Sequence, residues 1–329
     1  MKKEINCTKL NGERITESKD KVVIEEPLSI FVNGRHFVTT MISPQMKKEF
    51  VIGHLFSEGI IRDVEELESL QIEESIANVI ISSPLKVLTA RKLIVSGCGG
   101  GTSFLDESKL PEVSSDLKID AYEVFEAVKS ISGSDLHRIT GGVHVVGLFD
   151  KESRICISED IGRHNALDKV IGYGLTENID FEDTFVACTG RISSEMALKC
   201  SVANIPVVAS RGATTSLAIE IAEKTGLCII GFVRGERMNV YTNRGRIITP
   251  NFVQIPPHRP ISSSRGHAVR IRKQGLLDHP YRKNLLSLAF YRSLRHLCFS
   301  IRLRSCRKEK RFSAVLKARP FLSGTPPLR

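Results

Sequence analysis

The stretch FVACTGRISSEMALKCSVANIPVVASRGATTSLAIEIAEKTGLCIIGFV (185–233) decides the fold. Three short apolar runs, FVACTG (185–190), PVVAS (206–210) and CIIGFV (228–233), have the length and β-branched content of buried strands. Between them, residues 193–204 and 214–225 repeat apolar positions at helical spacing. Strand–helix–strand units with such short links force parallel neighbours joined by right-handed crossovers. Upstream, VHVVGLFD (143–150) and RICISED (154–160) are separated by a short polar loop and read as an antiparallel hairpin, followed by a helix over 164–173 and preceded by an amphipathic helix over 120–132. The second half is therefore an α/β layer structure with a mixed sheet of one hairpin and three parallel strands.

Further toward the N-terminus the alternation of residues 22–40 is broken by Asn33-Gly34, a two-residue hairpin signal. Ser43 is a candidate N-cap with Pro44 in the first helical position, and Gly59 ends the helix after its Phe50/Leu55 face. Residues 76–82 and 93–96 read as short strands, and SGCGGGT (96–102) as a glycine loop. The expected organisation is a smaller N-terminal α+β domain over 1–112 that ends in the glycine loop, a second domain over 113–250, and a tail over 251–329.

Charge separates the tail from the rest. Residues 1–250 carry 29 Lys and Arg against 35 Asp and Glu, a balance of −6. Residues 251–329 carry 18 against Asp278 and Glu309, a balance of +16. The net +10 of the whole chain thus belongs to the tail, and reading the body as a nucleic-acid binder would misplace that charge. The proline-rich PNFVQIPPHRP opens the tail, and residues 284–304 have the composition of a basic helix around Leu285, Leu286, Leu288, Phe290 and Leu297. A nucleic-acid arm, a membrane-surface helix and a sequence without selected fold compete there; the tail is expected to be disordered. The eight cysteines are scattered, without the spacing of a zinc knuckle. No secretory signal and no run of about 18 apolar residues is present, so a cytoplasmic protein with free thiols and no membrane span is expected. Cys188, Cys200 and Cys228 fall within apolar periodic segments and read as core packing.

The chemistry is expected at the C-terminal ends of the strands, where open α/β sheets bind ligands. Four connections there carry arginine beside glycine or a hydroxyl residue: EDIGRHN (159–165), TGRISSE (189–195), SRGATTS (210–216) and FVRGERMN (232–239). Helix N-termini supply unpaired N–H groups, and guanidinium forks match phosphate oxygens. Arg163, Arg191, Arg211, Arg234 and Arg237 are thus candidates to converge on one anionic ligand. The alternative is capping and surface ion pairing with Asp160, Glu195 and Glu236. His164 and Asp160 are candidates for proton transfer or for a helix cap, and Ser193 and Ser194 read as caps. Cys98, set between Gly97 and Gly99-Gly100-Gly101, lacks packing neighbours in sequence and reads as an accessible, reactive thiol.

With TGGVH (140–144), EDIGRHNALDKVIG (159–172), TGRISSEM (189–196), ASRGATTSLAIE (209–220) and GFVRGERMNVY (231–241), the chain resembles the formate dehydrogenase accessory sulfurtransferase family, FdhD, over roughly residues 15–250. The resemblance implies a cytidine-deaminase-like three-layer domain, a homodimer, and binding of a bis-molybdopterin guanine dinucleotide molybdenum cofactor. It implies transfer of sulfur from a cysteine desulfurase to that cofactor for formate dehydrogenase, with the persulfide on Cys98 and the cofactor at Phe232, Val233, Arg234, Gly235, Glu236 and Arg237. Many members carry C-x-x-C in the loop; here the second position is Gly101. A zinc deaminase is a poor alternative. Its H-x-E and P-C-x-x-C helix starts are replaced by His164-Asn165-Ala166 and Arg191-Ile192-Ser193-Ser194, so no metal site is expected. A cofactor chaperone or nucleotide-binding module without sulfur chemistry is the second functional reading, and a nucleic-acid binder acting through the tail the third.

Overall fold

In the computed structural model, residues 1–82 and 110–249 are described. The chain opens with a long hairpin, β1 (Lys2–Asn11) and β2 (Arg14–Val23), whose strands are almost entirely exposed. Strands β3 (Glu26–Val32) and β4 (Arg35–Ile42) then form the expected hairpin. Asn33 and Gly34 have φ of 47° and 76°, the left-handed pair that a type I′ turn requires. After helix α1 (Lys47–Ser57), strands β5 (Leu67–Glu73) and β6 (Ile76–Ile81) complete a four-stranded sheet of order β4-β3-β6-β5. Leu28, Ile30, Val32, Ala77 and Val79 alternate onto the face that covers Phe50, Val51 and Leu55 of α1.

The second half begins with β7 (Ile119–Asp120), α2 (Ala121–Ser132) and the short α3 (Asp135–Thr140). Hairpin β8 (His144–Phe149) and β9 (Arg154–Asp160) leads into α4 (Arg163–Thr176). Then come β10 (Phe185–Cys188), α5 (Ser194–Val202), β11 (Val207–Ser210), α6 (Ser216–Thr225) and β12 (Cys228–Arg234). Strands β13 (Arg237–Val240) and β14 (Ile247–Ile248) end the described chain. The sheet order is β13-β12-β11-β10-β8-β9, with β10, β11 and β12 parallel and the remaining pairs antiparallel. Side-chain alternation divides the sheet into two cores. Phe185, Ala187, Val207 and Ile230 pack under α2, whereas Val186, Cys188, Val208 and Ile229 pack under α4, α5 and α6. This is a helix–sheet–helix sandwich in the mixed α/β class. The strand expected at 93–96, the glycine loop with Cys98 and the tail from 251 lie outside the described residues.

Two local expectations change. Ser43 is not an N-cap: α1 starts at Lys47 behind a left-handed Met46. Ser43 is fully buried; its N–H donates to Asp160 Oδ2 (3.0 Å) and its hydroxyl accepts from the Ile161 N–H (3.2 Å). A distant carboxylate outcompetes the local helix end. Likewise, residues 232–239 are not a strand-to-helix connection but a hairpin between β12 and β13, turning at Gly235. Three of the four arginine segments therefore precede helices, not all four.

Helices α1 and α4 touch backbone to backbone. A Cβ added to Gly172 would lie 1.8 Å from the Glu49 carbonyl oxygen, and one added to Gly53 would lie 1.9 Å from that of Asp168. On this contact sit two buried ionic groups. Lys169 Nζ reaches Asp160 Oδ2 at 2.7 Å and the Ser43 carbonyl at 3.0 Å. Asp168 accepts both its 2.7 Å bonds from Lys199 Nζ, plus one from the Ser57 hydroxyl (3.0 Å), and meets His54 Nδ1 at 3.0 Å. Burial alone raises the Asp168 carboxyl, but Lys199 and His54 outweigh it and hold the group at about 2.

Gly172→Ala is expected to lower unfolding stability by about 3 kcal/mol, the upper range for overpacking; an unchanged urea midpoint would contradict the backbone contact. Asp168 is depressed from 3.8 to about 2, so its contribution is present above pH 3.8 and is lost as pH falls through about 2. That contribution is on the order of 2 kcal/mol. In acid titrations of stability, Asp168→Asn should flatten the pH dependence in this window; a slope equal to the parent's would refute the network's role.

Candidate functional site

The C-terminal ends of β10, β11 and β12 lie side by side because the three strands are parallel and in register. Their loops are laced together. The Arg211 N–H donates to the Cys188 carbonyl (3.1 Å), Ile192 N–H to that of Ala213 (2.9 Å), and Thr215 N–H to that of Ile192 (3.1 Å). The Ser210 hydroxyl donates to the Gly190 carbonyl and accepts the Gly212 N–H (2.8 Å). Gly190 and Gly212 are needed for the close approach: a Cβ on Gly190 would sit 3.0 Å from His144 Nδ1, and one on Gly212 3.1 Å from the Arg191 nitrogen.

Two cavities open on this edge and share Arg211 and Arg234 as a common wall. The smaller, about 380 Å³, is polar and is bounded by His137, Gly142, His144 and Thr189. The larger, about 830 Å³, lies between α2, with Tyr122, Phe125 and Lys129, and the β12–β13 turn, with Val233, Gly235 and Glu236. Arg234 is held in place: its Nε donates to the Arg211 carbonyl (3.3 Å) and its guanidinium lies 5.9 Å from the centre of the Phe232 ring. Among the described residues no carboxylate lies within ion-pair distance of Arg191, Arg211, Arg234 or Arg237. Surface ion pairing with Glu236 therefore does not account for these arginines. The larger cavity also has Asp120, Glu126 and Glu236 in its lining, so the part of the groove that suits an anion is the wall formed by Arg211 and Arg234, while Tyr122 and Phe125 suit a flat ring.

The structure gathers only part of the expected set. Arg211, Val233, Arg234, Gly235 and Glu236 line the groove, and Phe232 lies beneath Arg234. Arg163 heads α4 beside Gly190, Arg191 is exposed in the β10–α5 loop, and Arg237 is exposed opposite Arg234 across the hairpin; none of the three lines either cavity. Tyr122, Phe125, Lys129, His137, His144 and Thr189 were not expected. The TGGVH motif contains His144 and was a visible signal, whereas the α2 residues become site residues only through packing. Cys98 lies outside the described residues.

The proposed proton-transfer pair separates. Asp160 is fully buried and committed to Lys169, Ser43, Gly162 and Asn165. His164 instead meets the Ser193 hydroxyl (2.9 Å) and Glu195 Oε2 (3.1 Å) through Nε2. Burial, then the Arg163 charge, pushes its pKa down to about 3, and burial raises that of Glu195. Their contact is thus a hydrogen bond rather than an ion pair near neutrality. Burial and then Arg163 also lower His144. The thiols expected in the core are there: burial pushes Cys188 up to about 11 and Cys228 up to about 12, and raises Cys200 further. Among the described residues no group of three His, Cys, Asp or Glu side chains could hold a metal ion, and no helix is long and apolar enough to cross a membrane.

The FdhD/NarQ family model matches residues 23–248. A sulfur carrier protein FdhD from Bacillus pumilus is 40% identical over 243 residues, 71% of this chain and 93% of the relative. The protein of that name from Bacillus subtilis is 38% identical over 243 residues, covering 71% and 92%. A crystal structure assigned as a formate dehydrogenase accessory protein from Desulfotalea psychrophila superposes with a TM-score of 0.63 at 26% identity, over 75% of this chain and 99% of that one.

The imidazole resonances of His164 should stay flat between pH 5 and 8 in an NMR titration, since the group gains its proton only near pH 3. A midpoint close to 6.5 would refute the buried, neutral assignment.

Proposed function

The chain belongs to the FdhD/NarQ family, and from that premise we propose that it is a sulfur carrier, a sulfurtransferase that matures formate dehydrogenase in the cytoplasm. Cys98 accepts sulfane sulfur from a cysteine desulfurase: its thiolate attacks the donor's persulfide, the donor's S–S bond breaks, and the donor leaves as a thiolate. The terminal sulfur of the Cys98 persulfide would then pass to the molybdenum of a bis-molybdopterin guanine dinucleotide, the cargo, before that cofactor enters formate dehydrogenase: the Cys98 S–S bond breaks, Cys98 leaves as a thiolate, and the two electrons that convert sulfane sulfur to sulfide come from the reduced cargo metal. The protein acts as a homodimer, and neither nucleic acid nor membrane is a partner.

The observation that carries this reading is the pair Arg211 and Arg234 at the common wall of the two cavities. Diphosphate oxygens fit the two guanidinium groups, which have no carboxylate partner among the described residues. A guanine fits the larger compartment, whose lining includes the aromatic residues Tyr122 and Phe125. The remaining expected residues, Arg163, Arg191 and Arg237, contribute positive potential around the groove rather than its lining. A single loop thiol is sufficient for a carrier, since a persulfide needs one sulfur anchor; Gly101 excludes an internal disulfide within the loop.

The competing reading, a cofactor chaperone without sulfur chemistry, shares the groove but makes Cys98 dispensable. Cys98→Ala should leave the fold intact, remove the persulfide that mass spectrometry detects after incubation with a desulfurase, and abolish maturation of formate dehydrogenase. Full maturation by that variant would leave only the chaperone. For the groove, Arg211→Ala or Arg234→Ala should weaken GDP binding about tenfold or more, as expected when one charge-assisted contact to phosphate is lost. Unchanged affinity in both would remove the nucleotide from this site.

A further inference from the structure

The strand that delivers Arg234 is irregular just before it arrives. Seven described residues other than glycine have positive φ, four of them asparagine, and Phe232 is the only aromatic among them, at 54°. A bulky side chain in the left-handed region is a genuine outlier, because its Cβ crowds the carbonyl oxygen. The strain coincides with a β-bulge. Between β12 and β13 the pairing runs from Gly231↔Asn239 to Arg234↔Arg237, so β12 advances three residues while β13 advances two.

The extra residue changes which side chain goes where. Ile230 packs in the core layer beneath α2, and strict alternation would send Phe232 into that layer next. Instead Val233 joins Ile230 there, and Phe232 remains 37% exposed. Its ring then lies under the Arg234 guanidinium at 5.9 Å, while its N–H is anchored to the Gly212 carbonyl at 2.8 Å. Arg234 is tied by Nε to the carbonyl of the preceding residue of the same loop, Arg211 (3.3 Å). One strained residue thereby couples the two arginine-bearing segments and fixes the guanidinium that separates the two cavities.

We propose that Phe232 is a positioning residue: its left-handed backbone and exposed ring serve to aim Arg234 into the groove, and the ligand is engaged by Arg234 rather than by Phe232. This rests on the nucleotide reading of the groove. The strain persists because it pre-organises a flexible side chain for an anion, which is where proteins retain unfavourable backbone geometry.

The test is a double-mutant cycle on the full chain, with GDP as the probe and affinity read by isothermal titration calorimetry. Phe232→Leu, which keeps bulk but removes the π face, should weaken GDP about fivefold, the scale of a lost cation–π contact. In an Arg234→Ala background the same change should cost nothing further. Phe232→Tyr, with its ring intact, should restore the parent affinity. Phe232→Gly relieves the strained φ, so its melting temperature should equal or exceed the parent's while its GDP affinity falls with that of Phe232→Leu.

Equal losses from Phe232→Leu in both backgrounds would overturn the proposal in favour of direct ligand contact. Unchanged affinity in Phe232→Leu, with Arg234→Ala weakened, would overturn it in favour of a ring with no hold on Arg234. A lower melting temperature in Phe232→Gly would overturn the strain argument. If Arg234→Ala itself binds GDP as the parent does, the positioning role fails; if Arg211→Ala is unchanged as well, the nucleotide reading fails with it, so the Arg211 arm separates the two causes.

Discussion

Two glycines, Gly53 and Gly172, let helices α1 and α4 meet at backbone distance, and the rest of the arrangement depends on that contact. No side chain fits between them, so the distance between the N-terminal sheet and the layer under the six-stranded sheet has no slack. This brings Ser43 within reach of Asp160, and His54 and Ser57 within reach of Asp168. A buried ion pair is costly to desolvate and repays this only with good geometry and full hydrogen bonding. Both groups here meet that condition. Lys169 has two carbonyl partners besides Asp160, and Asp168 is saturated by Lys199, Ser57 and His54. Their directionality fixes where α4 begins, and α4 begins at Arg163, on the edge that carries the site.

The site repeats the same principle with loops instead of helices. Gly190 and Gly212 allow two strand ends to press together, and backbone bonds then lock the loops that carry Arg191 and Arg211. The loops that carry the groove are thus locked mainly by backbone, and among the described residues no carboxylate engages the Arg191, Arg211 or Arg234 guanidinium. Burial sets the chemistry of its surroundings. Cys188, although next to the arginine loops, is held as a thiol by its dry environment, and His164 is held neutral. Cys188 is therefore not a thiolate near neutrality. Lys129, also in the lining, is paired with Glu126, so the positive charge of the groove without a carboxylate partner among the described residues is that of arginine, which does not change near neutrality.

Much of this was legible beforehand for a definable reason. Strands of four to seven apolar residues, a period of 3.6 in the helices between them and a two-residue Asn33-Gly34 turn are local signals, and local signals fix element type. The same logic exposed the arginine loops, since glycine beside arginine at a strand end has few other uses. What escaped was set by contacts distant in sequence. The β1–β2 hairpin is nearly all exposed and so has no apolar pattern to read. Ser43-Pro44 carries a good capping signal, yet a carboxylate 117 residues away claims the serine. Residues 232–239 look like a phosphate loop but pair as a hairpin, and the extra residue at Phe232 has no signature in hydrophobic alternation.

The sequence by itself therefore determined the α/β class, the parallel core strands, the inert core thiols and the family, because these follow from short-range periodicity and from motifs carried within single segments. Tertiary structure alone decided which arginines share a wall, that α2 supplies the aromatic side of the groove, and that Asp160 serves the core rather than proton transfer. Those outcomes depend on distances between segments. Such distances are set by which backbones can touch and which buried charges must be satisfied, and no local pattern encodes them.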